Sequence, residues 1–311
     1  MPRQSYDIVI IGGGPAGLAA GLYAARGRRK TLLLERGVTG GQIALTELVE
    51  NYPGVPSVNG FDLAQAMLKQ AESYGLETQS AAVTALERKG KRWLVRTTEG
   101  EYVTNAVIVT AGADYNRLGV PGEERLIGRG VSYCATCDAA FFKGQHVAVV
   151  GGGDAAIDEG LFTTRYADRV TTIHRRDRLR AGAILQERAF ANPKMEFVWN
   201  TVVTEILGDE TVTGVRLHNR QTGEDSAMDV AAVFIFIGQH PNTDFLRGLV
   251  SMDEGGHVLV NEWMETELPG LYAAGDARQN AARQVVTSAG DGATAAIAAE
   301  RYLSSNFAAY E

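Results

Sequence analysis

The fold is decided by residues 6–17, which read YDIVIIGGGPAG. The first half of this stretch is rich in β-branched residues without alternation, which is typical of a parallel strand buried on both faces. The glycines follow the G-x-G-x-x-G spacing, and an Ala-rich helix comes next, up to Arg26. A glycine-rich turn alone is also compatible with a simple tight connection, but a strand before it and a helix after it favour a nucleotide-binding unit.

An acidic residue follows at the distance that such a unit requires. The strand at residues 31–34 is closed by Glu35, 18 residues after Gly17. In units of this kind the backbone approaches a pyrophosphate at the helix N-terminus, and the acid accepts hydrogen bonds from ribose hydroxyls. We therefore expect a dinucleotide to bind at Gly12, Gly14, Pro15, Ala16, Gly17 and Glu35.

The same pattern recurs in the middle of the chain. Residues 146–150 form a strand that leads into GGGDAA at 151–156, a helix and a second strand. Cations then follow where the first unit has Glu35. Paired guanidinium groups grip a 2′-phosphate, which an acid would repel; the alternative is a solvated basic helix start. The register with the glycines favours phosphate binding, with contacts at Gly153, Asp154, Ala155, His174, Arg175, Arg176 and Arg180. The different ribose chemistry predicts two different dinucleotides, interpreted as FAD at the first unit and NADPH at the second.

Two further strands indicate where the chain crosses between the units. Residues 106–111 and 232–237 are strand-like, and each run ends in a glycine, Gly112 or Gly238, before a polar stretch. We predict an α/β fold with two Rossmann-like dinucleotide-binding domains of the three-layer ββα type, the NADPH domain being inserted into the FAD domain. The expected bounds are 1–114 and 244–311 for the FAD domain and 115–243 for the NADPH domain. A later strand ends at Asp276, which is either a ligand of a hydroxyl chain such as ribityl or an ordinary turn residue.

Composition limits the classes to which the chain can belong. Of its 311 residues 45% are hydrophobic and 36 are Gly, well above the roughly 7% Gly of ordinary proteins. The net charge of −7 argues against nucleic acid or an anionic membrane as the main partner. Because we find neither a run of about 18 apolar residues nor a signal-peptide core, we expect a cytoplasmic protein without a membrane span.

Both cysteines of the chain lie in the stretch Cys134-Ala135-Thr136-Cys137. A disulfide across so short a loop stabilises little, and the expected compartment is reducing. The five His are scattered without ligand spacing, so no metal site is predicted. The pair is therefore interpreted as a redox-active dithiol. Asp138 follows directly, as a proton donor and acceptor for thiol–disulfide exchange, as the N-cap of a short helix, or in both roles together.

Together these features predict a pyridine nucleotide–disulfide oxidoreductase, in which electrons pass from NADPH through FAD to the dithiol. The chain resembles the low-molecular-weight thioredoxin reductases of bacteria and plants over essentially its whole length. The motifs that carry the resemblance lie at residues 12–17, 40–42, 50–54, 134–138, 151–156, 174–181, 238, 241–243, 275–276, 283–284 and 287–290.

The resemblance implies a homodimer that reduces thioredoxin, with FAD held by the first and last parts of the chain and NADPH by the middle part. It implies that Cys137 faces the flavin, that Cys134 attacks the disulfide of thioredoxin, and that Asp138 gives and takes the proton. Further implied FAD contacts are Gly41, Gln42, Asn51, Gly112, Gly275, Asp276, Arg283, Gln284 and Val285.

Departures from the family pattern leave the electron donor open. Ala139 stands where the family has Gly, Gln239 stands where it has His, and residues 277–282 lack the usual acid and aromatic. The aromatics Phe307 and Tyr310 are either a segment that stacks over the flavin, as in some relatives, or a disordered tail. The arginines favour NADPH as the donor. The alternatives are a reductase that takes electrons from ferredoxin or another donor and, from a different class, a non-catalytic redox sensor that binds FAD.

Overall fold

The computed structural model describes residues 4–46 and 49–307, so Tyr310 lies outside the described residues. The chain divides into two compact units, Met1–Asp114 with His240–Glu311 and, between them in sequence, Tyr115–Gln239. Within the described ranges, no helix combines the length and the apolar character that crossing a membrane would need.

The helices and strands follow one another in this order. Up to the first crossing they are β1 (Gln4–Ile11), α1 (Pro15–Arg26), β2 (Thr31–Glu35), α2 (Gly60–Glu72), β3 (Glu77–Ser80), β4 (Val83–Lys89), β5 (Arg92–Thr97), β6 (Glu101–Val109) and β7 (Ala113–Tyr115). The inserted part contains β8 (Val131–Ser132), α3 (Ala135–Asp138), β9 (His146–Gly151), α4 (Asp154–Thr163), β10 (Arg169–Ile173), α5 (Ala183–Ala191), β11 (Met195–Val198), β12 (Thr201–Leu207), β13 (Gly214–Asn219), β14 (Asp225–Asp229) and β15 (Ala232–Phe236). The last elements are β16 (Gln239–Pro241), β17 (Leu271–Ala273) and α6 (Val285–Asn306).

The first unit is built on a sheet with the strand order β3-β2-β1-β6-β5-β4, to which β17 is added beside β6. Strands β1, β2, β6 and β17 run in parallel, so their carboxyl ends lie along one edge. Helices α1 and α6 cover one face, and a second core around Trp93 and Val258 covers the other. Because both faces are covered, residues 6–11 of β1 are buried, as the unalternating sequence predicts.

The second unit has the same layering, built from different helices and strands. Its parallel sheet has the order β11-β10-β9-β15-β8. Residues of α3, α4 and α5 pack on one face, including Ala135, Ile157 and Ala189. On the other face Val203 and Val215 belong to the separate antiparallel sheet β12-β13-β14. The structure thus confirms the predicted α/β fold with two Rossmann-like units of ββα layering.

Helices α1 and α6 pack so closely that one position allows no side chain. A Cβ atom added to Gly292 of α6 would lie 1.9 Å from the carbonyl oxygen of Ala16 at the start of α1. Just beyond the C-terminus of α1, Arg29 Nε lies 2.6 Å from the carboxylate of Glu300 of α6. The two contacts fix α6 along α1 and bring the N-terminal half of α6 next to the turn that follows β1.

We expect Gly292→Ala to lower the free energy of unfolding by about 1–3 kcal/mol, because the added methyl group overpacks the contact with Ala16. The matched control is Gly290→Ala on the same helix, where an added Cβ has no atom within 4 Å. That variant should be neutral or up to about 1 kcal/mol more stable, because Ala favours a helix over Gly. Chemical denaturation checks both variants, and equal effects of the two would contradict the close-packing account.

Candidate active site

The three glycines of the first turn are needed for three different reasons. Gly12 has φ of 110°, and an added Cβ would lie 2.3 Å from the carbonyl oxygen of Thr110. At Gly17 an added Cβ would lie 1.9 Å from the carbonyl oxygen of Gly12, so the helix packs directly on the turn. Gly14 differs, since an added Cβ there meets no atom within 4 Å. The turn is therefore tight on its protein side and open at Gly14, as a dinucleotide-binding turn must be.

The open side of this turn is suited to an anion. Gly14 is the N-cap of α1, no described side chain caps the helix, and its first turn contains no acid. The N–H groups there are consequently available to a pyrophosphate. Glu35 stands beside them, because its Oε2 accepts a hydrogen bond of 2.6 Å from Gly13 N–H and its Oε1 one of 2.7 Å from Gly37 N–H. Both carboxylate oxygens keep a second lone-pair site for ribose hydroxyls.

The loop after β2 lies against the glycine turn. Gly40 N–H donates a 2.8 Å hydrogen bond to the carbonyl oxygen of Gly13. At Gly41, which has φ of 56°, an added Cβ would lie 3.3 Å from Gly14 Cα. The neighbouring Gln42 donates from Nε2 to Asp114 Oδ1 over 3.2 Å. The structure therefore brings Gly41 and Gln42 to the site that the first glycine motif defines.

Residues from the end of the chain complete the same edge of the sheet. An added Cβ at Gly275, after β17, would lie 3.0 Å from the Cβ of Ala16. Burial raises the pKa of the adjacent Asp276, while the charge of Arg283 and the hydroxyl of Ser288 act in the opposite direction. Gly112, after β6, has φ of 66° and open space where a side chain would stand. The carboxyl ends of β1, β2, β6 and β17 thus meet at one site, around the position where a doubly wound sheet binds its ligand.

The start of α6 carries the remaining predicted contacts of this unit. Asn51 Nδ2 donates a 3.2 Å hydrogen bond to Oε1 of Gln284, the N-cap residue of α6. Val285 packs against the small core around Ile43. Arg283 is exposed and has φ of 57°, a left-handed conformation that only a few per cent of non-Gly residues adopt.

The second glycine turn repeats the division between a tight and an open side. Gly151 has φ of 152°, and an added Cβ would lie 2.4 Å from the carbonyl oxygen of Phe236. At Gly153, the N-cap of α4, the nearest atom to an added Cβ is Arg180 Nη2, at 4.0 Å. Arg180 N–H also donates a 2.7 Å hydrogen bond to the carbonyl oxygen of Gly152. The arginine is therefore anchored by its backbone beside the open glycine.

The predicted cations of this turn separate into two groups. Arg175, Arg176 and Arg180 are exposed. His174, by contrast, is buried, and its ring would be 2.3 Å from a Cβ added to Gly152. Burial first and the charge of Arg176 second lower the pKa of His174, which favours its neutral form, and the ring packs against the turn. The exposed arginines are the groups that can reach a phosphate.

The cysteine pair lies in the same unit, on the short helix α3. Cys134 is its N-cap residue, and Cys134 and Cys137 form a disulfide with a Cα–Cα distance of 5.3 Å. Asp138 ends the helix and accepts a 2.5 Å hydrogen bond from Ser132 Oγ. Burial raises the pKa of Asp138, and the Ser132 hydrogen bond lowers it by less. By position Asp138 is the N-cap residue of the 3₁₀ turn at residues 139–142, as the sequence suggests, but its side chain makes no capping hydrogen bond there.

One residue beside the disulfide is not indicated by the sequence. Glu159 of α4 accepts a 3.1 Å hydrogen bond on Oε2 from Ala135 N–H, and Thr136 N–H also donates to its carboxylate. Burial raises the pKa of Glu159, while these two donors lower it. Glu159 lies 24 residues after Ala135, and no sequence motif links the two positions. Within the described parts of the chain, no group of His, Cys, Asp and Glu is arranged to hold a metal ion.

The residues therefore fit two dinucleotides and a redox-active disulfide, which is the residue set of a flavin-linked disulfide oxidoreductase. Residues 6–292 match the family of pyridine nucleotide-disulphide oxidoreductases, and the chain belongs to this family.

Within the family, the chain is similar to thioredoxin reductases, as its sequence motifs predict. It is 47% identical to the thioredoxin reductase of Listeria innocua over 303 residues, 97% of this chain and 95% of that one. It is 46% identical to that of Bacillus subtilis over 302 residues, 97% and 96% of the two chains. The crystal structure of the Streptococcus pyogenes thioredoxin reductase superposes with a TM-score of 0.94 at 43% identity, covering 97% of this chain and 99% of that one.

We expect Gly14→Val to fold but to be purified with little flavin, because the side chain fills space that the protein leaves open for a pyrophosphate. The reciprocal control is Gly153→Val, which should keep its flavin and lose affinity for NADPH. The flavin-to-protein absorbance ratio checks the first variant. The free energy of unfolding of the flavin-free Gly14→Val protein should differ from that of flavin-free wild type by no more than about 1 kcal/mol. A normal flavin content in folded Gly14→Val would contradict the assignment.

Proposed function

We propose that the chain is a thioredoxin-disulfide reductase that uses NADPH as donor and FAD as bound cofactor. The observation that supports this most directly is a disulfide between Cys134 and Cys137, followed by an acid, Asp138, whose pKa is raised by burial. The similarity to thioredoxin reductases over 97% of the chain supports thioredoxin as the protein substrate. The homodimer and the cytoplasmic location remain predictions from the resemblance and the sequence.

The two nucleotides are assigned by the ribose chemistry of the two turns. Glu35 at the first turn suits the free ribose hydroxyls of FAD, and its charge disfavours a 2′-phosphate. The exposed Arg175, Arg176 and Arg180 at the second turn suit the 2′-phosphate of NADPH. When bound, NADPH supplies a hydride and FAD transmits its electron pair to a disulfide.

The residues of the chain then handle the sulfur chemistry. Two electrons and two protons convert the Cys134–Cys137 disulfide into two thiols. One cysteine attacks the disulfide of thioredoxin as a thiolate and forms a mixed disulfide, and the other cysteine breaks it, which restores the Cys134–Cys137 bond and releases reduced thioredoxin. Asp138 holds a proton up to a higher pH than an exposed Asp, because burial raises its pKa. It can therefore give a proton to a departing thiolate and take it back when the next thiolate forms.

The proposed function requires both cysteines. We expect Cys134→Ser and Cys137→Ser to keep their flavin and to lose NADPH-dependent reduction of thioredoxin, measured by disulfide reduction in the presence of insulin. The variant that retains the attacking cysteine should accumulate a mixed disulfide with a thioredoxin whose single remaining cysteine is first activated as a mixed disulfide with thionitrobenzoate, which departs as a thiolate when the variant attacks. The resemblance assigns the attack to Cys134, so the trap should form in Cys137→Ser. Thioredoxin reduction at the wild-type rate in either variant would exclude the proposed function.

The donor preference should depend on the exposed arginines. Replacing Arg176 by Gln removes a charge-assisted hydrogen bond worth about 1.5–3 kcal/mol, so the KM for NADPH should rise about 10–100-fold. The KM for NADH, which has no 2′-phosphate, should change little. The control is Arg169→Gln on the preceding strand, where the arginine lies 2.6 Å from Glu196. An equal rise in KM for NADPH and for NADH would show that Arg176 does not bind the 2′-phosphate.

A further inference from the structure

Glu159 approaches the disulfide helix from the neighbouring helix rather than from the redox motif. Its carboxylate accepts hydrogen bonds from the backbone N–H groups of Ala135 and Thr136, and the distance from Ala135 N to Glu159 Oε2 is 3.1 Å. These two residues are the first two of α3, whose N-cap is Cys134. Ala135 and Ala139 are fully buried and belong to the same core as Ala156 and Ile157 of α4. The disulfide helix is thus held on α4 both by packing and by this carboxylate.

Glu159 accepts hydrogen bonds from N–H groups that could otherwise donate to the sulfur of a reduced Cys134. An N-cap side chain accepts a hydrogen bond from the second or third residue of its helix, and Thr136 is the second residue of α3. A thiolate at a helix N-terminus is stabilised by such donors, which lowers the thiol pKa. A carboxylate on the same donors removes them and adds a negative charge that repels the thiolate. Both effects disfavour the reduced, ionised form of the pair.

The reduction potential of a dithiol depends on how well its reduced form is stabilised, and strong oxidants of this type stabilise it most. We propose that Glu159 is a positioning residue of the dithiol, which holds α3 by its first two N–H groups and keeps the Cys134–Cys137 couple strongly reducing. Only the benefit of this role rests on the proposed function, because a strongly reducing couple favours electron transfer to thioredoxin.

The test measures the couple itself in the flavin-containing protein. Wild type and Glu159→Gln are equilibrated without oxygen in mixtures of reduced and oxidised dithiothreitol, and free cysteine thiols are counted by alkylation and mass. In the exchange, the Cys134–Cys137 bond breaks, the ring disulfide of oxidised dithiothreitol forms, and two electrons and two protons pass to the protein. We expect the dithiol form of Glu159→Gln to be favoured about tenfold, which corresponds to about 30 mV.

Two further variants separate this role from a general effect on folding or charge. Asp158→Asn removes the same charge from the exposed neighbouring position of α4 and should shift the equilibrium less than about twofold. Glu159→Asp keeps the charge and should lie between wild type and Glu159→Gln, and it also serves if Glu159→Gln does not fold. Bound flavin and the melting temperature report folding in each variant.

A folded Glu159→Gln with the wild-type equilibrium, or an equal shift in Asp158→Asn, would overturn the proposal. If Glu159→Gln does not fold, a wild-type equilibrium in Glu159→Asp would overturn it. Because the titration uses neither NADPH nor thioredoxin, a failure of wild type to reduce thioredoxin would refute the proposed function and leave this result intact.

Discussion

At three glycines of the first unit, backbone segments approach one another too closely for any side chain. An added Cβ would lie 2.3 Å from Thr110 O at Gly12, 1.9 Å from Gly12 O at Gly17, and 1.9 Å from Ala16 O at Gly292. These contacts draw the end of β1, the start of α1 and the middle of α6 together. Because the segments meet there, the carboxyl ends of four parallel strands face one site, and Gly14 is left with open space on the side where an anion binds.

The second unit uses the same constraint for a different purpose. Its turn is closed by Gly151 against Phe236 O, and α4 starts from it at Gly153. The helix that begins at this nucleotide turn also carries Glu159, which holds the N-terminus of the disulfide helix. One short helix therefore connects the turn suited to NADPH with the disulfide. In the first unit, helix α1 packs on α6.

The parts of the site that are local in sequence could be predicted. The spacing of Gly12, Gly14 and Gly17, with Glu35 at the end of the next strand, specified the turn and its carboxylate, and the cysteine pair was recognisable from its spacing. Burial and long-range contacts could not be predicted in this way. The His174 ring packs against Gly152, and the N–H donors of Glu159, at Ala135 and Thr136, lie 24 and 23 residues before it. The conformation of Arg283 at φ of 57° also has no local signal.

We propose that electrons from NADPH reach the Cys134–Cys137 disulfide through the flavin of the same protein. The most direct measurement mixes the oxidised protein with stoichiometric NADPH without oxygen and follows flavin absorbance and free thiols in a single turnover. We expect rapid bleaching of the flavin, then recovery of its absorbance, and the appearance of thiols at Cys134 and Cys137. A flavin that stays oxidised with NADPH but is bleached by reduced ferredoxin would contradict it.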